Sequence, residues 1–274
     1  MANKALVVGI SKYLAPTTEL TAPALEADAW AALLPAFGIL DVKIIKPDSA
    51  ATLPNVRGRL LDLLLDAKPR EQRVFVFCGH GTVVPIGGNM GDEALQLFHS
   101  KVGKAEAEAA ALTDSMLSAI VKAAKPSPEA LITIVLDCCF SGGFDVKPLE
   151  DELESSDSSE REGETLFSPL MRAEEFDEFL IVHRFGSLWD RGVEFETLDP
   201  LAVAACERHK HAAEMTVPMG SPPHLKFSGN AIPILKATTN STHEKLCDAV
   251  NHVVTGQYSV LLGNVPRRKH PFFS

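Results

Sequence analysis

Residues 74–81 read VFVFCGHG and residues 132–142 read ITIVLDCCFSG, and each apolar run gives way to glycine. A run of β-branched and aromatic residues of strand length, with no polar alternation, is typical of a strand buried on both faces of a parallel sheet. Open sheets of this kind bind ligands beyond the carboxyl ends of their strands. The two stretches therefore predict two buried strands of one sheet that bring His80 and Cys139 to the same edge.

Strands and helices alternate through the first half of the chain. Short apolar runs predict strands at residues 5–10, 42–45, 73–78 and 131–137. Apolar residues at helical spacing predict helices at residues 20–37, 53–67 and 104–124. Between the third strand and the third helix we predict a glycine-rich loop that reaches about residue 103. This order predicts right-handed crossovers and an α/β fold, with helices on both faces of a mainly parallel sheet.

The second half of the chain begins with a polar segment. Residues 145–168 are acidic and serine-rich with almost no aromatic residues, which predicts a flexible loop. Ordered elements are predicted again at residues 170–184, 201–206, 229–238, 242–254 and 257–262. A length of 274 residues suits one large domain or two small ones, and we favour a single domain over residues 1–274.

Composition limits the classes of function. An apolar content of 46% and a charged content of 23% are ordinary for a soluble globular protein. The net charge of −10 arises mostly from residues 150–164, and no basic stripe indicates a nucleic-acid partner. Five cysteines without the spacing of a disulfide framework or a zinc site predict free thiols in a reducing compartment. The cytosol and the nucleus are both such compartments, and we expect a cytoplasmic location. The apolar stretch at residues 5–10 is too short for a signal peptide or a membrane span, and no membrane partner is expected.

A histidine and a thiol at one edge of a sheet are the minimum for thiolate catalysis. Free cysteine is only about a few per cent thiolate near neutral pH, so a hydrolase needs an adjacent base or imidazolium to activate it. His80 can do this for Cys139 and can later protonate the leaving amine. The alternative is that both are ordinary residues of buried strands, because free cysteine is often a core residue. The shared sheet and the flanking glycines favour catalysis.

These motifs resemble those of caspase-like cysteine peptidases of the metacaspase and paracaspase branch (clan CD, family C14). Residues 5–13 (ALVVGISKY) resemble the opening strand of the family, CGHG at 78–81 its His-Gly motif, and DCCFSG at 137–142 its Asp-x-Cys-x-Ser-Gly motif. Weaker similarities lie at residues 20–34, 204–214 and 257–272. The Gln-Ala-Cys-x-Gly signature of classical caspases is absent from the sequence. The resemblance implies a caspase-like (caspase-hemoglobinase) fold, a three-layer α-β-α sandwich with a mainly parallel central sheet of about six strands.

The resemblance also implies catalytic roles. It implies a cysteine endopeptidase in which His80 is the general acid and base, and Cys139, third in its motif, is the nucleophile. Cys138 and Cys139 cannot both face the histidine, because successive side chains of a strand point to opposite sides, so Cys138 is expected to be a packing residue. By analogy with the family, the backbone N–H groups of Gly81 and Cys139 are expected to form the oxyanion hole.

A substrate pocket is implied in the same way, by Asp28, Asp137 and Cys78. Asp137 lies two residues before the nucleophile and therefore shares its side of the strand end. Two carboxylates in one pocket pair with a guanidinium or an ammonium group, which implies cleavage after Arg or Lys. Two alternatives remain open: Asp28 as a solvated residue of an amphipathic helix, and Cys78 as a core residue.

No metal or other cofactor is expected. Calcium activation is common among metacaspases, but a hard cation wants six or more oxygen ligands, and the sequence offers only Asp92 and Glu93 in the loop after His80. The acidic loop is either a solvated insertion or a processing segment, in which a basic-specific enzyme would cut after Lys147, Arg161 or Arg172.

The expected partners are protein or peptide substrates with a basic residue before the scissile bond. We expect a monomer, and the chain is compatible with a place in a larger multidomain protein. The main alternative function is a catalytically silent caspase-like domain that acts as a scaffold or regulatory partner. Nucleotide binding ranks far behind, because the GISK stretch at residues 9–12 is not a phosphate-binding fingerprint.

Overall fold

The structure is a computed structural model that describes residues 3–14, 19–87, 90–99, 111–127, 129–138, 201–205, 214–215, 221–238, 241–255, 257–262 and 269. Its strands are β1 (Lys4–Gly9), β2 (Asp41–Ile45), β3 (Gln72–Cys78), β4 (Gly81–Gly87), β5 (Met90–Gln96), β6 (Ala111–Thr113), β7 (Leu131–Asp137), β8 (Leu201–Ala204) and β9 (Val260–Leu262). Its helices are α1 (Pro23–Leu33), α2 (Leu53–Leu64), α3 (Asp114–Ala124), α4 (Lys226–Ala237) and α5 (His243–Val253). Short 3₁₀ turns follow at Leu34–Phe37 and Asp48–Ala50.

The central sheet of the described residues has six strands in the order β2-β1-β3-β7-β8-β9. The first five are parallel to one another, and β9 is antiparallel to β8 at the edge. The α/β fold and its mainly parallel sheet are therefore confirmed, with β3 and β7 adjacent at its centre. Parallel neighbours end on the same side, so residues that follow β1, β3 and β7 gather at one edge of this sheet.

Helices cover both faces of the sheet and complete three layers. On one face, α1, α4 and α5 pack on alternate strand residues through side chains that include Trp30, Phe227 and Leu246. On the other face, α2 and α3 pack on the intervening residues through Leu60, Ile120 and their neighbours. Every residue of β3 is buried: the apolar run at residues 74–78 predicts this, and the polar Gln72 and Arg73 before it are buried as well. Each large aliphatic or aromatic side chain buried in this way contributes about 1.5–3 kcal/mol to folding.

The ends of the helices follow local chemistry. Helix α1 begins at Pro23, where the missing N–H costs nothing, and the 3₁₀ turn after it ends at Gly38 with a φ of 77°. Helix α3 begins at Asp114 because Thr113 caps it, its side-chain oxygen accepting a hydrogen bond from the Met116 N–H at 3.2 Å. The longer helix predicted over residues 104–124 is therefore confirmed from Asp114 and wrong at residues 111–113, which form β6, whereas residues 100–110 lie outside the described part of the chain.

The prediction of a loop between residues 79 and 103 is wrong. Strands β4 and β5 form an antiparallel hairpin there, and β6 joins it to make a second sheet of three strands. Glycine and proline within the two strands lowered their apparent strand character, and the register shifts between Pro85 and Gly87. Val84, Ala94 and Ala111 form the small core of this sheet. It begins immediately after His80 and so stands directly beside the predicted site.

Two sequence predictions lie outside the described residues. They are the acidic loop at 145–168 and the amphipathic stretch at 170–184. Among the helices that are described, none has the length and the apolar character needed to cross a membrane.

A substitution at Gly9 tests how closely α1 packs on the end of β1. A Cβ atom at Gly9 would lie 2.5 Å from the Pro23 carbonyl oxygen and 2.6 Å from the Ala27 Cβ. We expect Gly9→Ala to lower the free energy of unfolding, measured in urea, by about 1–3 kcal/mol. Gly58→Ala, in α2 with nothing within 4 Å of the new atom, is the control and should stabilise the protein by about 0.5–1 kcal/mol. Equal stability of the two variants would contradict the packing.

Candidate active site

The carboxyl ends of β3 and β7 form the floor of the site. Cys78 ends β3 and lies directly opposite Asp137, which ends β7. The next residues along β3 are Gly79 and His80, and Cys78, His80 and Asp137 are all fully buried. The structure therefore brings together three of the residues singled out in the sequence.

Three backbone hydrogen bonds fix the position of His80. The Gly79 N–H donates to the Asp137 carbonyl oxygen at 3.3 Å, and the Gln96 N–H donates to the His80 carbonyl oxygen at 3.0 Å. The His80 N–H donates to the Tyr13 hydroxyl at 2.8 Å. The Tyr13 ring also lies against the imidazole, with ring centroids 5.1 Å apart and an interplanar angle of 47°. His80 is thus held from β7, from β5 and from the segment that follows β1.

Asp137 is a buried carboxyl with one well-bonded oxygen. Its Oδ2 accepts hydrogen bonds from the Ser228 N–H at 2.9 Å and from the Ser228 hydroxyl at 2.5 Å. The Ser228 hydroxyl oxygen in turn accepts one from Trp30 Nε1 at 2.8 Å. No described residue gives Oδ1 a hydrogen-bond partner, although that atom is buried. Burial raises the pKa of Asp137 to about 7, an effect that the Ser228 hydrogen bonds oppose.

Glu26 of α1 is a second buried carboxyl of the site. One of its oxygens lies 2.7 Å from His224 Nδ1 and accepts a weaker hydrogen bond from the Leu225 N–H at 3.3 Å. Burial raises the pKa of Glu26, and the pairing with His224 opposes that rise. The charge of Glu26 contributes to the raised pKa of Asp137, so the two carboxyls act on each other.

The charges of both carboxyls affect the pKa of the Cys78 thiol. Its pKa is well above the ordinary value, first because the thiol is buried and then because Asp137 and Glu26 are close. A buried thiol beside two acids stays protonated, so Cys78 is unsuited to thiolate chemistry. It belongs to the core on the face covered by α1, α4 and α5.

Asp28 occupies a different place from the one expected. It lies on the exposed side of α1, where Lys46 Nζ is 2.8 and 2.9 Å from its two oxygens. The buried residues of the helix are Pro23, Glu26, Ala27, Trp30 and Leu33, which share one face. Residue 28 falls outside that stripe, so the acid that α1 directs toward Asp137 is Glu26 rather than Asp28. Glu26 lies four residues before Trp30 and therefore on the same face of the helix. This spacing was the signal in the sequence that could have identified Glu26 as the buried acid.

The two adjacent cysteines differ in what the structure describes. Cys138 is buried in the core between the sheet and the α2–α3 layer, on the face opposite Cys78. Cys139 lies outside the described residues. Gly81 is buried at the start of β4, paired in register with Leu95.

A short stretch of the second half of the chain holds α1 in place. The Glu214 carboxylate accepts hydrogen bonds from the N–H groups of Thr21 and Ala22 at 2.7 and 2.6 Å, and from the Thr21 hydroxyl at 3.0 Å. The contacts of Glu26 and Trp30 with residues 224–228 follow at four-residue intervals along the same face of the helix. Sequence reasoning gave no role to Glu214 or Ser228, because their partners are distant in sequence.

Metal binding has no support among the residues that the structure describes. Nowhere in that part of the chain do three or more His, Cys, Asp or Glu side chains form a group that could hold a metal ion.

The fold and the site define a class of protein. A mainly parallel six-stranded sheet between two helical layers, with residues 78–80 and 137–138 at one edge, is a caspase-like α/β architecture. The family profile described as "Metacaspase, peptidase C14 domain" matches residues 3–146, more than half of the chain. The chain therefore belongs to the metacaspase peptidase family, and its recognition as caspase-like is confirmed.

Comparison with solved structures supports the fold over the whole length. The crystal structure of protein GSU0716 from Geobacter sulfurreducens is similar with a TM-score of 0.71, and the match covers 99% of this chain and 98% of that one. The sequence identity of 16% means that this likeness concerns the fold alone. The comparison with curated proteins finds no match.

The free energy of unfolding should depend on pH because Asp137 titrates. Its pKa is about 7 in the folded chain against an ordinary value of 3.8, so the folded state binds the proton more tightly. The stability that this group contributes is complete below about pH 4 and is lost as the pH rises through 7. We expect the Asp137 carboxyl to contribute a fall on the order of 1–3 kcal/mol between pH 5 and pH 8 in wild type, so the fall should be smaller by that amount in Asp137→Asn. Urea unfolding measures this fall.

The control for this experiment is Asp28→Asn, which removes an exposed negative charge from the same region. It should retain the wild-type fall between pH 5 and pH 8. An identical pH dependence in wild type and Asp137→Asn would show that the buried carboxyl does not titrate in this range.

Proposed function

We propose that this chain is a cysteine endopeptidase that hydrolyses peptide bonds after Arg or Lys, with His80 and Cys139 as the catalytic dyad. Membership of the metacaspase family supports peptidase chemistry. The observation that carries the substrate class is a pair of buried carboxyls, Asp137 at the end of β7 and Glu26 on α1, in which the charge of Glu26 contributes to the raised pKa of Asp137. One oxygen of Asp137 is buried with no hydrogen-bond partner among the described residues.

The charge of the pair favours a cationic ligand. A buried carboxylate without a compensating partner is costly, and two together are more so. A guanidinium or an ammonium group offers several donors and a positive charge, and would satisfy the vacant Asp137 oxygen while favouring ionisation of both acids. A substrate ending in Asp would add a third negative charge and be repelled. The pocket therefore favours Arg and Lys before the scissile bond.

In the proposed reaction, the Cys139 sulfur attacks the scissile carbonyl carbon after giving its proton to His80. The carbonyl oxygen becomes an oxyanion that the backbone N–H groups of Gly81 and Cys139 stabilise. His80 returns the proton to the leaving amine, the peptide C–N bond breaks, and a thioester remains on Cys139. Water, deprotonated by His80, then attacks the thioester and releases the carboxylic acid and the thiol.

We assign the walls of the specificity pocket to Asp137, Glu26 and Cys78. Glu26 replaces Asp28 in this role because Asp28 is exposed and already paired with Lys46. Cys78 supplies a neutral thiol beside Asp137, consistent with its raised pKa. His224 pairs with Glu26 from a half-exposed position, so an entering cation would compete with its imidazole for that carboxylate.

The remaining parts of the proposal rest on the sequence. Free-thiol composition supports a cytoplasmic location, and we propose a monomer with a single peptidase domain that needs no cofactor. Self-processing after Lys147, Arg161 or Arg172 would follow from the basic specificity. Those residues lie outside the described part of the chain.

The nucleophile is tested by a pair of variants. Cys139→Ala should abolish cleavage of short fluorogenic peptides ending in Arg or Lys, because the thiols that the structure describes, Cys78, Cys138 and Cys247, are all buried. Cys138→Ala should keep most of the activity per folded molecule, because Cys138 packs in the core. A thiol-reactive peptide probe should label wild type at Cys139. An absence of both labelling and cleavage in wild type would favour the catalytically silent scaffold instead.

The pocket is tested by a matched pair on α1. We expect Glu26→Gln to raise the KM for Arg- and Lys-ended peptides by about tenfold to a hundredfold, since a hydrogen bond to a charged group contributes about 1.5–3 kcal/mol. Gln keeps an oxygen that can accept from Leu225, so the local fold is retained. Asp28→Asn should leave the KM within about twofold. The reverse pattern would return the specificity role to Asp28.

A further inference from the structure

The segment after β1 contacts the backbone of His80 through one hydroxyl group. The Tyr13 hydroxyl accepts a hydrogen bond from the His80 N–H at 2.8 Å and donates one to the Ile10 carbonyl oxygen at 3.2 Å. One side chain therefore links the end of β1 to the turn that carries the histidine. The Ile10 N–H also donates to the Cys78 carbonyl oxygen at 3.0 Å, so the two strand ends are joined at two points.

The segment that presents Tyr13 is itself firmly held. The Ser11 N–H donates to the Asp48 carboxylate at 2.8 Å, and the Leu14 N–H donates to the Phe98 carbonyl oxygen at 3.0 Å. The Phe98 N–H in turn donates to the Ala51 carbonyl oxygen at 3.0 Å. Tyr13 thus stands between two anchored neighbours, and a group supported in this way can fix another with little loss of precision.

The space for the hydroxyl depends on Gly79. A Cβ atom at position 79 would lie 2.8 Å from the Tyr13 oxygen and 3.0 Å from the Phe77 ring. Glycine between Cys78 and His80 therefore leaves the space that the Tyr13 hydroxyl and the Phe77 ring occupy. Burial of the hydroxyl raises the pKa of Tyr13 above its ordinary value, so the group stays protonated and can donate to Ile10 while it accepts from His80.

We propose that Tyr13 is a positioning residue for His80, and this inference rests on the proposed role of His80 as general acid and base. Its hydroxyl fixes the main chain at residue 80, and its ring lies against the imidazole at 5.1 Å between centroids. Tyr13 acts through His80, by way of the backbone N–H and the ring of that histidine. Its contribution is therefore to the geometry of proton transfer, in which an error of about 1 Å can cost about a hundredfold in rate.

The main test is Tyr13→Phe, which keeps the ring and removes both hydrogen bonds of the hydroxyl. We expect kcat for Arg- and Lys-ended peptides to fall about tenfold or more with the KM within about twofold, because the specificity pocket does not include Tyr13. Rates are normalised to the fraction of molecules that a thiol-reactive peptide probe labels at Cys139. The control is Tyr258→Phe, at the other, exposed tyrosine of the chain, which should leave kcat and KM unchanged.

A double-mutant cycle with Gly79→Ala adds a readout specific to this contact. The new methyl group in Gly79→Ala would displace the hydroxyl, so we expect a loss of kcat similar to that of Tyr13→Phe. In the double variant the hydroxyl is already absent, and the two losses should overlap instead of multiplying. Fully multiplicative losses would mean that the residues act independently and would overturn the proposal.

The remaining outcomes separate this inference from the proposed function. Active wild type with an unchanged kcat in Tyr13→Phe would overturn the role of Tyr13 alone. A fall in activity that disappears after normalisation to labelled protein would also overturn it, since the effect would then be on folding. Wild type that neither cleaves nor labels would overturn the peptidase proposal, and the positioning role with it.

Discussion

The burial of the Asp137 carboxyl at the end of the central strand constrains the rest of the site. A carboxyl cut off from water is tolerated only where strong hydrogen bonds replace its hydration, and here Ser228 supplies two of them. Trp30 supports Ser228 in turn. Because β7, α4 and α1 each contribute one member of this chain of contacts, the placement of one acid fixes the packing of three elements on that face of the sheet.

The energetic cost at this edge indicates a purpose other than stability. Asp137, Glu26 and Cys78 all have pKa values raised first by burial, and the charge of Glu26 further raises the pKa of Asp137 and of Cys78. Apolar residues in their places would pack at least as well, since buried ionisable groups are often replaceable without loss of stability. Groups of this kind cluster where a protein binds a charged ligand or performs proton chemistry. The peptidase site that we propose at these strand ends would give that cost a function.

The sequence predicted the elements whose signals are local. The runs before Cys78 and Asp137 are continuously apolar, so their strands and common edge could be predicted, and His80 follows from the same edge. The β4–β5 hairpin was missed because Pro85 and several glycines weaken its pattern. The family pattern predicted Asp28 because it was matched without the phase of the helix, which indicates Glu26. Tyr13 and Ser228 act on partners 67 and 91 residues away, for which a single sequence carries no periodic signal.

Contacts of residues 21–30 with residues 214–228 hold the first and the second part of the chain together. These contacts are independent of the covalent connection between the two parts. Thr21, Glu26 and Trp30 belong to the first part of the sequence, whereas Glu214, His224 and Ser228 follow residue 200. Strand β8 also pairs with β7 over four residue pairs. A single cut of the backbone between residues 139 and 200 leaves all these bonds intact. The two fragments produced by such a cut therefore have non-covalent contacts that keep them associated as a complex.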